Sequence, residues 1–262
     1  MKLLETGRVA LITGGCRGIG FATAEILAKE GARLVLLDLN GEHAVASAQK
    51  LSADYAIEAV GVQGDISNEQ SVKEAVANVL QRFGRIDILV NSAAVVDDVL
   101  FLESTPAQWR RMIDICLYGP MLLAHSVLPH MVERKYGRFI CLASDSARIG
   151  QARLSYYAAA KAGVIALVKS IAQEVGTDGI TANVVSPGAT NTELRRAREA
   201  SLLSQMGEEK YAKRQKSVLK MYPTGRIGEP VDIGSMVAFL ASDHASWVTG
   251  QVISVNGGFA MP

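Results

Sequence analysis

Arg8-Val-Ala-Leu-Ile-Thr-Gly-Gly-Cys-Arg-Gly-Ile-Gly20 joins a short apolar run to a cluster of glycines, and its reading decides the fold. Arg8 to Thr13 has the composition of a strand buried on both faces. After the loop, Phe21, Ala24, Ile26, Leu27 and Ala28 supply the apolar side of a helix that ends at Glu30-Gly31. Glycines at such a turn let the backbone bend sharply and approach a pyrophosphate, whose charge is met by unpaired amides at the helix start. Gly14, Gly18 and Gly20 give Thr-Gly-x-x-x-Gly-x-Gly, a different spacing from the commoner G-x-G-x-x-G. Glycine-rich turns also occur without any ligand. The strand before, the helix after and an acid downstream give this one its meaning.

That acid is Asp38, which closes a second buried run, Arg33-Leu-Val-Leu-Leu-Asp38. A carboxylate there can accept hydrogen bonds from adenosine ribose hydroxyls and repels a 2′-phosphate, so NAD is expected rather than NADP. Arg17 pulls weakly the other way, and Leu39 follows Asp38 where a second cation would favour NADP. Further strand-like runs are expected at Ala56 to Gln63, Ile86 to Asn91, Gly137 to Ala143, Thr181 to Ser186 and Val252 to Val255. Alternating with helical segments, they imply an α/β fold: a Rossmann-type, doubly wound, seven-stranded parallel sheet with helices on both faces. Ligands are then expected at the carboxyl ends of the strands. At 262 residues and 49% apolar, the chain is long enough for one substantial core, and no second domain is needed.

Tyr157-Ala-Ala-Ala-Lys161, with Ser144 thirteen residues upstream, has the makings of a proton-transfer device. On a helix the i, i+4 spacing stacks phenol and ammonium about one turn apart, so the lysine is expected to lower the tyrosine pKa. Each unit of such lowering corresponds to about 1.4 kcal/mol. Chance matches to Tyr-x-x-x-Lys are common, and the other motifs give this one its weight.

With the glycine loop, Asn91-Ser-Ala-Ala94, Ser144, Tyr157-x-x-x-Lys161 and Pro187-Gly188 all in order, the chain resembles the classical short-chain dehydrogenase/reductase (SDR) family from Gly7 to Gly258. The resemblance implies that Tyr157 is the acid/base, that Ser144 hydrogen-bonds the substrate oxygen, and that Lys161 lowers the tyrosine pKa and holds the nicotinamide ribose. Tyr156 is a decoy, since its i+4 residue is Ala160. By the same likeness the cofactor site comprises Gly14, Arg17, Gly18, Ile19, Gly20, Asp38, Leu39, Asp65, Ile66, Asn91, Ser92, Ala93, Tyr157, Lys161, Pro187, Gly188, Thr190 and Thr192. Asp65 would meet the adenine amino group, although a helix N-cap is its plain alternative. Thr190 and Thr192 would hold the carboxamide. Two positions depart from the pattern. Ala94 stands where the family usually has glycine, and Cys116 where it usually has the asparagine whose side chain holds a water in the proton relay. A thiol is a poor substitute for an amide; the rival is a plain buried cysteine.

The formal charge of +1, from 27 basic and 26 acidic side chains, offers no global field for nucleic acid. Cys16, Cys116 and Cys141 have no paired spacing, which points to reduced thiols and a cytoplasmic protein. Met1-Lys-Leu-Leu-Glu-Thr6 lacks the pattern of a signal peptide, and no apolar run is expected to span a membrane. His43, His125, His130 and His244 are scattered, so no metal site is expected. The family usually forms tetramers. Here the helix from Ser155 to Gly176, apolar nearly all round, expects cover on more than one side, and a homotetramer is the expected assembly.

The first half of the chain, to about residue 135, should hold the cofactor and the rest the substrate, with a lid at Asn191 to Tyr222. That insert carries eight cations and four acids. A solvated helical face would look similar. The functional reading is an anionic substrate, a carboxylate or a coenzyme A ester, met by Arg195 and by Arg148 and Arg153 beside Ser144 and Tyr157. Ala143-Ser-Asp-Ser-Ala-Arg-Ile-Gly150 is similar to the matching loop of dehydrogenases acting on hydroxycyclohexanecarboxyl-CoA. Reductases of 3-oxoacyl-(acyl carrier protein), which generally use NADPH, and sugar or polyol dehydrogenases share the core motifs. A non-catalytic NAD-binding regulatory protein is the alternative of another class.

Overall fold

The apolar runs of the sequence become parallel strands in a computed structural model that describes residues 3–261. They are Val9–Thr13 (β1), Arg33–Asp38 (β2), Ala59–Gln63 (β3), Ile88–Asn91 (β4), Gly137–Leu142 (β5), Ile180–Pro187 (β6) and Val252–Val255 (β7). All pair in parallel in one seven-stranded sheet of order β3-β2-β1-β4-β5-β6-β7. The helices are Gly18–Lys29 (α1), Gly41–Tyr55 (α2), Glu69–Phe83 (α3), Pro106–Ile113 (α4), Gly119–Glu133 (α5), Ser146–Ile149 (α6), Ser155–Val175 (α7), Glu193–Met206 (α8), Glu208–Lys220 (α9) and Pro230–Ala241 (α10).

Alternation along each strand feeds two cores. Val9 and Leu11 of β1 point to one face, where α3, α5 and α7 bury Val76, Val127 and Val168. Ala10 and Ile12 point to the other, where α1, α2 and α10 bury Leu27, Leu51 and Val237. Burial on both faces explains why the strands read as continuous apolar runs. The winding reverses between β1 and β4, where Thr13 pairs with Asn91, and this switch point opens a crevice at the strands' carboxyl ends.

Several boundaries differ from the sequence reading. The third strand begins at Ala59 rather than Ala56, because Ala56 ends α2 in the left-handed region with φ 52°. The fourth begins at Ile88, after Asp87 has turned its carboxylate to accept from the Val9 amide at 2.9 Å. Helix α4 starts at Pro106, with a capping box between Thr105 and Gln108. A π-helical turn, Asp114–Tyr118, then joins it to α5. That continuous stretch, Pro106–Glu133, is long and apolar enough by length and composition to cross a membrane, contrary to the expectation that none would be. Its Met112, Cys116, Leu123, Val127 and Met131 are fully or almost fully buried within the protein, as in a core helix.

Candidate active site

The crevice holds a cavity of about 380 Å³, within the usual size of a small-molecule site. Gly14, Arg17, Gly18 and Ile19 line it from the loop after β1, and Asp38 and Leu39 from the end of β2. Asp65 and Ile66 follow β3, Ser92 and Ala93 follow β4, and Pro187, Gly188, Thr190 and Thr192 follow β6. Ser144, Tyr157 and Lys161 open onto the same cavity.

The glycine loop is a cradle that side chains would fill. Gly14 has φ +61° and passes Ala93 so closely that a Cβ would come within 2.9 Å of the Ala93 Cα. A Cβ on Gly20 would lie 2.3 Å from the Gly14 carbonyl oxygen. Arg17, the residue before α1, makes no side-chain cap, and no acid occupies the first turn, so the helix start presents its amides to the cavity. The residues present therefore fit a dinucleotide: a loop with no room for side chains, a helix start with open amides, and the Asp38 carboxylate lining the same cavity. Cys16 lies behind the loop, where burial and the Asp38 charge push its thiol up to about 12.

Several expected cofactor residues also make hydrogen bonds that hold the loops. The Thr13 hydroxyl donates to Asn91 Oδ1 at 2.8 Å and accepts from the Ser92 and Ala93 amides at 3.2 Å, so the Asn91 side chain turns into the sheet and only its neighbours line the cavity. Asp65 accepts from the Ser67 amide at 2.9 Å and hydroxyl at 2.6 Å. The helix cap considered for Asp65 is instead Asn68, which accepts from the Ser71 amide at 2.9 Å. Thr192 caps α8 by accepting from the Arg195 amide at 3.2 Å, which leaves its hydroxyl hydrogen to donate.

The proton-transfer group departs from the expected electrostatics. Lys161 is buried, donates to the Leu142 carbonyl at 2.7 Å, and its Nζ lies 5.9 Å from the centroid of the Tyr157 ring. Burial holds the Tyr157 phenol well above its ordinary value, the Cys116 thiol adds to that rise, and a hydrogen bond with Ser144 opposes it. The lowered tyrosine expected from the i, i+4 spacing gives way to a raised one: burial is the largest influence on the phenol, and Lys161 is engaged with the Leu142 carbonyl. Ser144 Oγ accepts from the Ser146 hydroxyl at 2.9 Å, which keeps its own hydrogen available. Cys116 lies in the π-helical turn, fully buried, with its thiol 3.5 Å from the Val95 carbonyl. The decoy Tyr156 is structural: it is buried and donates to Asp97 Oδ2 at 3.0 Å.

The segment expected to be a lid forms two helices, α8 and α9, which meet at Gly207 with φ +77°. Arg195 lines the cavity, as does Arg198 of the same helix. Arg148 and Arg153 do not line it. Arg148 donates to Ser254 Oγ at 2.6 Å, toward β7, and Arg153 pairs with Asp98. Asp98 also holds Arg198, so one carboxylate joins the loop after β4 to the lid and to the segment before α7. The two guanidiniums hold its carboxyl below the usual range against the opposing effect of burial. Nothing in the spacing of Val95-Val-Asp-Asp98 signals this role.

A sequence profile of the enoyl-(acyl carrier protein) reductase family matches residues 14–260. The chain belongs to the short-chain dehydrogenase/reductase family. This SDR is 36% identical to the 3-oxoacyl-[acyl-carrier-protein] reductase of Salmonella typhimurium, over 97% of this chain and 98% of that protein. It is 39% identical, over 96% of each, to a (2S)-[(R)-hydroxy(phenyl)methyl]succinyl-CoA dehydrogenase subunit of Thauera aromatica. The crystal structure of levodione reductase superposes with a TM-score of 0.90 and 36% identity, over 97% of each chain. As an SDR the chain is an oxidoreductase of ketone and alcohol chemistry that works with a nicotinamide cofactor.

Proposed function

We propose that this SDR is an NAD-dependent dehydrogenase that interconverts a secondary alcohol and a ketone on an anionic alicyclic hydroxy acid or its CoA thioester. The observation that carries the reading is one cavity lined by the glycine loop, Asp38, Ser144, Tyr157 and Lys161 together. In it the Gly14 to Gly20 loop surrounds the pyrophosphate and Asp38 and Leu39 meet the adenosine ribose. Asp65 and Ile66 meet the adenine, and Pro187 to Thr192 the carboxamide. The bound cofactor supplies the exchange of hydride with the substrate carbon. Ser144 donates its hydrogen bond to the substrate oxygen, Tyr157 gives or takes the proton there, and Lys161 holds the nicotinamide ribose. Asp38 disfavours the 2′-phosphate of NADP by like-charge repulsion, against the weaker pull of Arg17. Residues to about 135 form the cofactor half and the remainder the substrate half, in a cytoplasmic homotetramer.

Arg195 and Arg198 at the cavity, together with the Thauera relative that acts on a succinyl-CoA, support the anionic substrate. The 3-oxoacyl-(acyl carrier protein) reductases, at 36% identity, support a second reading on straight-chain thioesters. A screen of hydroxycyclohexanecarboxylates, their CoA esters and straight-chain hydroxyacyl thioesters, with NAD and NADP side by side, separates the two. The alicyclic substrates with NAD are expected to turn over fastest. Arg195→Gln, which leaves the Arg198–Asp98 pair in place, should raise KM for anionic substrates by about tenfold and leave neutral alcohols unchanged. Equal losses on neutral alcohols would remove the anion argument, and cofactor binding without any reduced nicotinamide would mark a binding protein.

A further inference from the structure

Asp145 follows Ser144 directly, and its side chain joins three strand ends. The residue is only 2% exposed. Oδ1 accepts from the Ser186 hydroxyl at 2.8 Å, and Oδ2 accepts from Asn256 Nδ2 at 2.6 Å. Its amide donates to the Pro187 carbonyl at 3.1 Å. The partners are themselves fixed. Asn256 also donates to the Ala260 carbonyl at 2.7 Å and accepts from the Gly258 amide at 3.0 Å, so its amide cannot flip without losing both bonds. Gly188 lies against Asn256, where a Cβ would approach the Asn256 Cβ to 2.9 Å, and its amide donates to the Val255 carbonyl at 3.2 Å. A buried carboxylate thus pins the loop that carries Ser144 to the end of β6 and to the tail after β7. Burial raises the Asp145 carboxyl, with the Ser186 and Asn256 hydrogen bonds and the Arg148 charge opposing.

We propose that Asp145 is a positioning residue that fixes Ser144 relative to the Ser186–Ala189 segment, and so sets the distance between the substrate oxygen and the nicotinamide. The proposal rests on the reading above for what each segment holds. Hydride transfer depends steeply on such placement, since a misplacement of about 1 Å can cost about 100-fold in rate. Asp145 touches neither substrate nor cofactor; it acts through the two segments it joins.

The test compares Asp145→Ala and Asp145→Asn in the full chain. Asn keeps an acceptor for Asn256 and offers an N–H to Ser186, whose hydroxyl can turn to accept it. Asp145→Ala is expected to lower kcat about 100-fold, to raise the primary deuterium isotope effect on kcat, and to leave the Kd for NADH within about threefold. Asp145→Asn is expected to restore kcat to within about fivefold. In the cofactor-free protein, amide exchange at Ala143–Ser146 and Ser186–Ala189 should quicken in Asp145→Ala and not in Asp145→Asn. A parent isotope effect and exchange pattern kept in Asp145→Ala would overturn the proposal, as would equal losses in both variants. Were the parent to turn over no alcohol at all, the functional reading would fall, while the exchange measurement would still decide whether Asp145 holds the two segments together.

Discussion

Cys116 raises the Tyr157 phenol, and that coupling makes the departure from the usual asparagine consequential. Alcohol oxidation needs the phenolate, so its rate rises with pH through the tyrosine pKa, and a phenol held above its ordinary value places that limb on the alkaline side. Ketone reduction needs the protonated phenol, which this environment keeps available at neutral pH. Cys116→Asn removes a group that raises the phenol and supplies an amide that can order a relay water. The oxidation limb is therefore expected to move to lower pH, with a severalfold gain in rate near neutrality. A pH–rate profile indistinguishable from the parent's would show that the position has no part in the relay. The sequence made the proximity of Ser144, Tyr157 and Lys161 legible, because a short motif on one helix fixes two of the three. It did not make the charge balance legible: whether Lys161 faces the phenol or the Leu142 carbonyl is settled by the end of β5, nineteen residues upstream.

At the scale of elements, two acids tie down the segment proposed as a lid. Asp98 pairs with Arg198 of α8 and with Arg153, while Glu199, largely buried, accepts from Arg214 at 2.8 Å, Tyr211 at 3.0 Å and Gln215 at 2.6 Å of α9. Glu199 joins the two lid helices to each other, and Asp98 joins them to the body. Because its folded pKa is lowered, the Asp98 latch is intact above the ordinary carboxylate range and is lost only as pH falls through that lowered value. Asp98→Asn removes the charge at every pH. It is expected to speed NADH release by about threefold to tenfold in stopped-flow fluorescence and to quicken amide exchange across α8 and α9, with Ser144 and Tyr157 untouched. Unchanged release would mean that the lid is held by other contacts. The strands were legible to within a few residues, since burial on both faces leaves little choice of composition. The π-helical turn and the latch were not: both depend on partners distant in the chain, and neither Asp97-Asp98 nor Ile115-Cys116-Leu117 has a local pattern that marks it.

At the scale of the whole molecule, the cations at the cavity end of the positive segment are each paired with an acid, and only Asp98 comes from outside the segment. Arg195 pairs with Glu199, Arg196 with Glu193, Arg198 with Asp98, and Lys213 with Glu209. An anionic substrate would meet Arg195 and Arg198, which line the cavity. Trp247 is 98% and Met261 85% exposed, and Tyr118 and Met121 lie open on the long helix. Those apolar surfaces fit the tetramer expected from the family, and light scattering should then give four times the 27.9 kDa chain mass. A monomer mass would leave them for another partner. The central claim is that the Tyr157 oxygen moves the proton in a nicotinamide-dependent exchange of alcohol and ketone. It is tested most directly by Tyr157→Phe, assayed for reduced nicotinamide with the best alcohol from the screen, beside NADH binding by fluorescence. The account predicts a loss of kcat of about 100-fold to 10,000-fold with NADH affinity retained. Turnover equal to the parent's would contradict it.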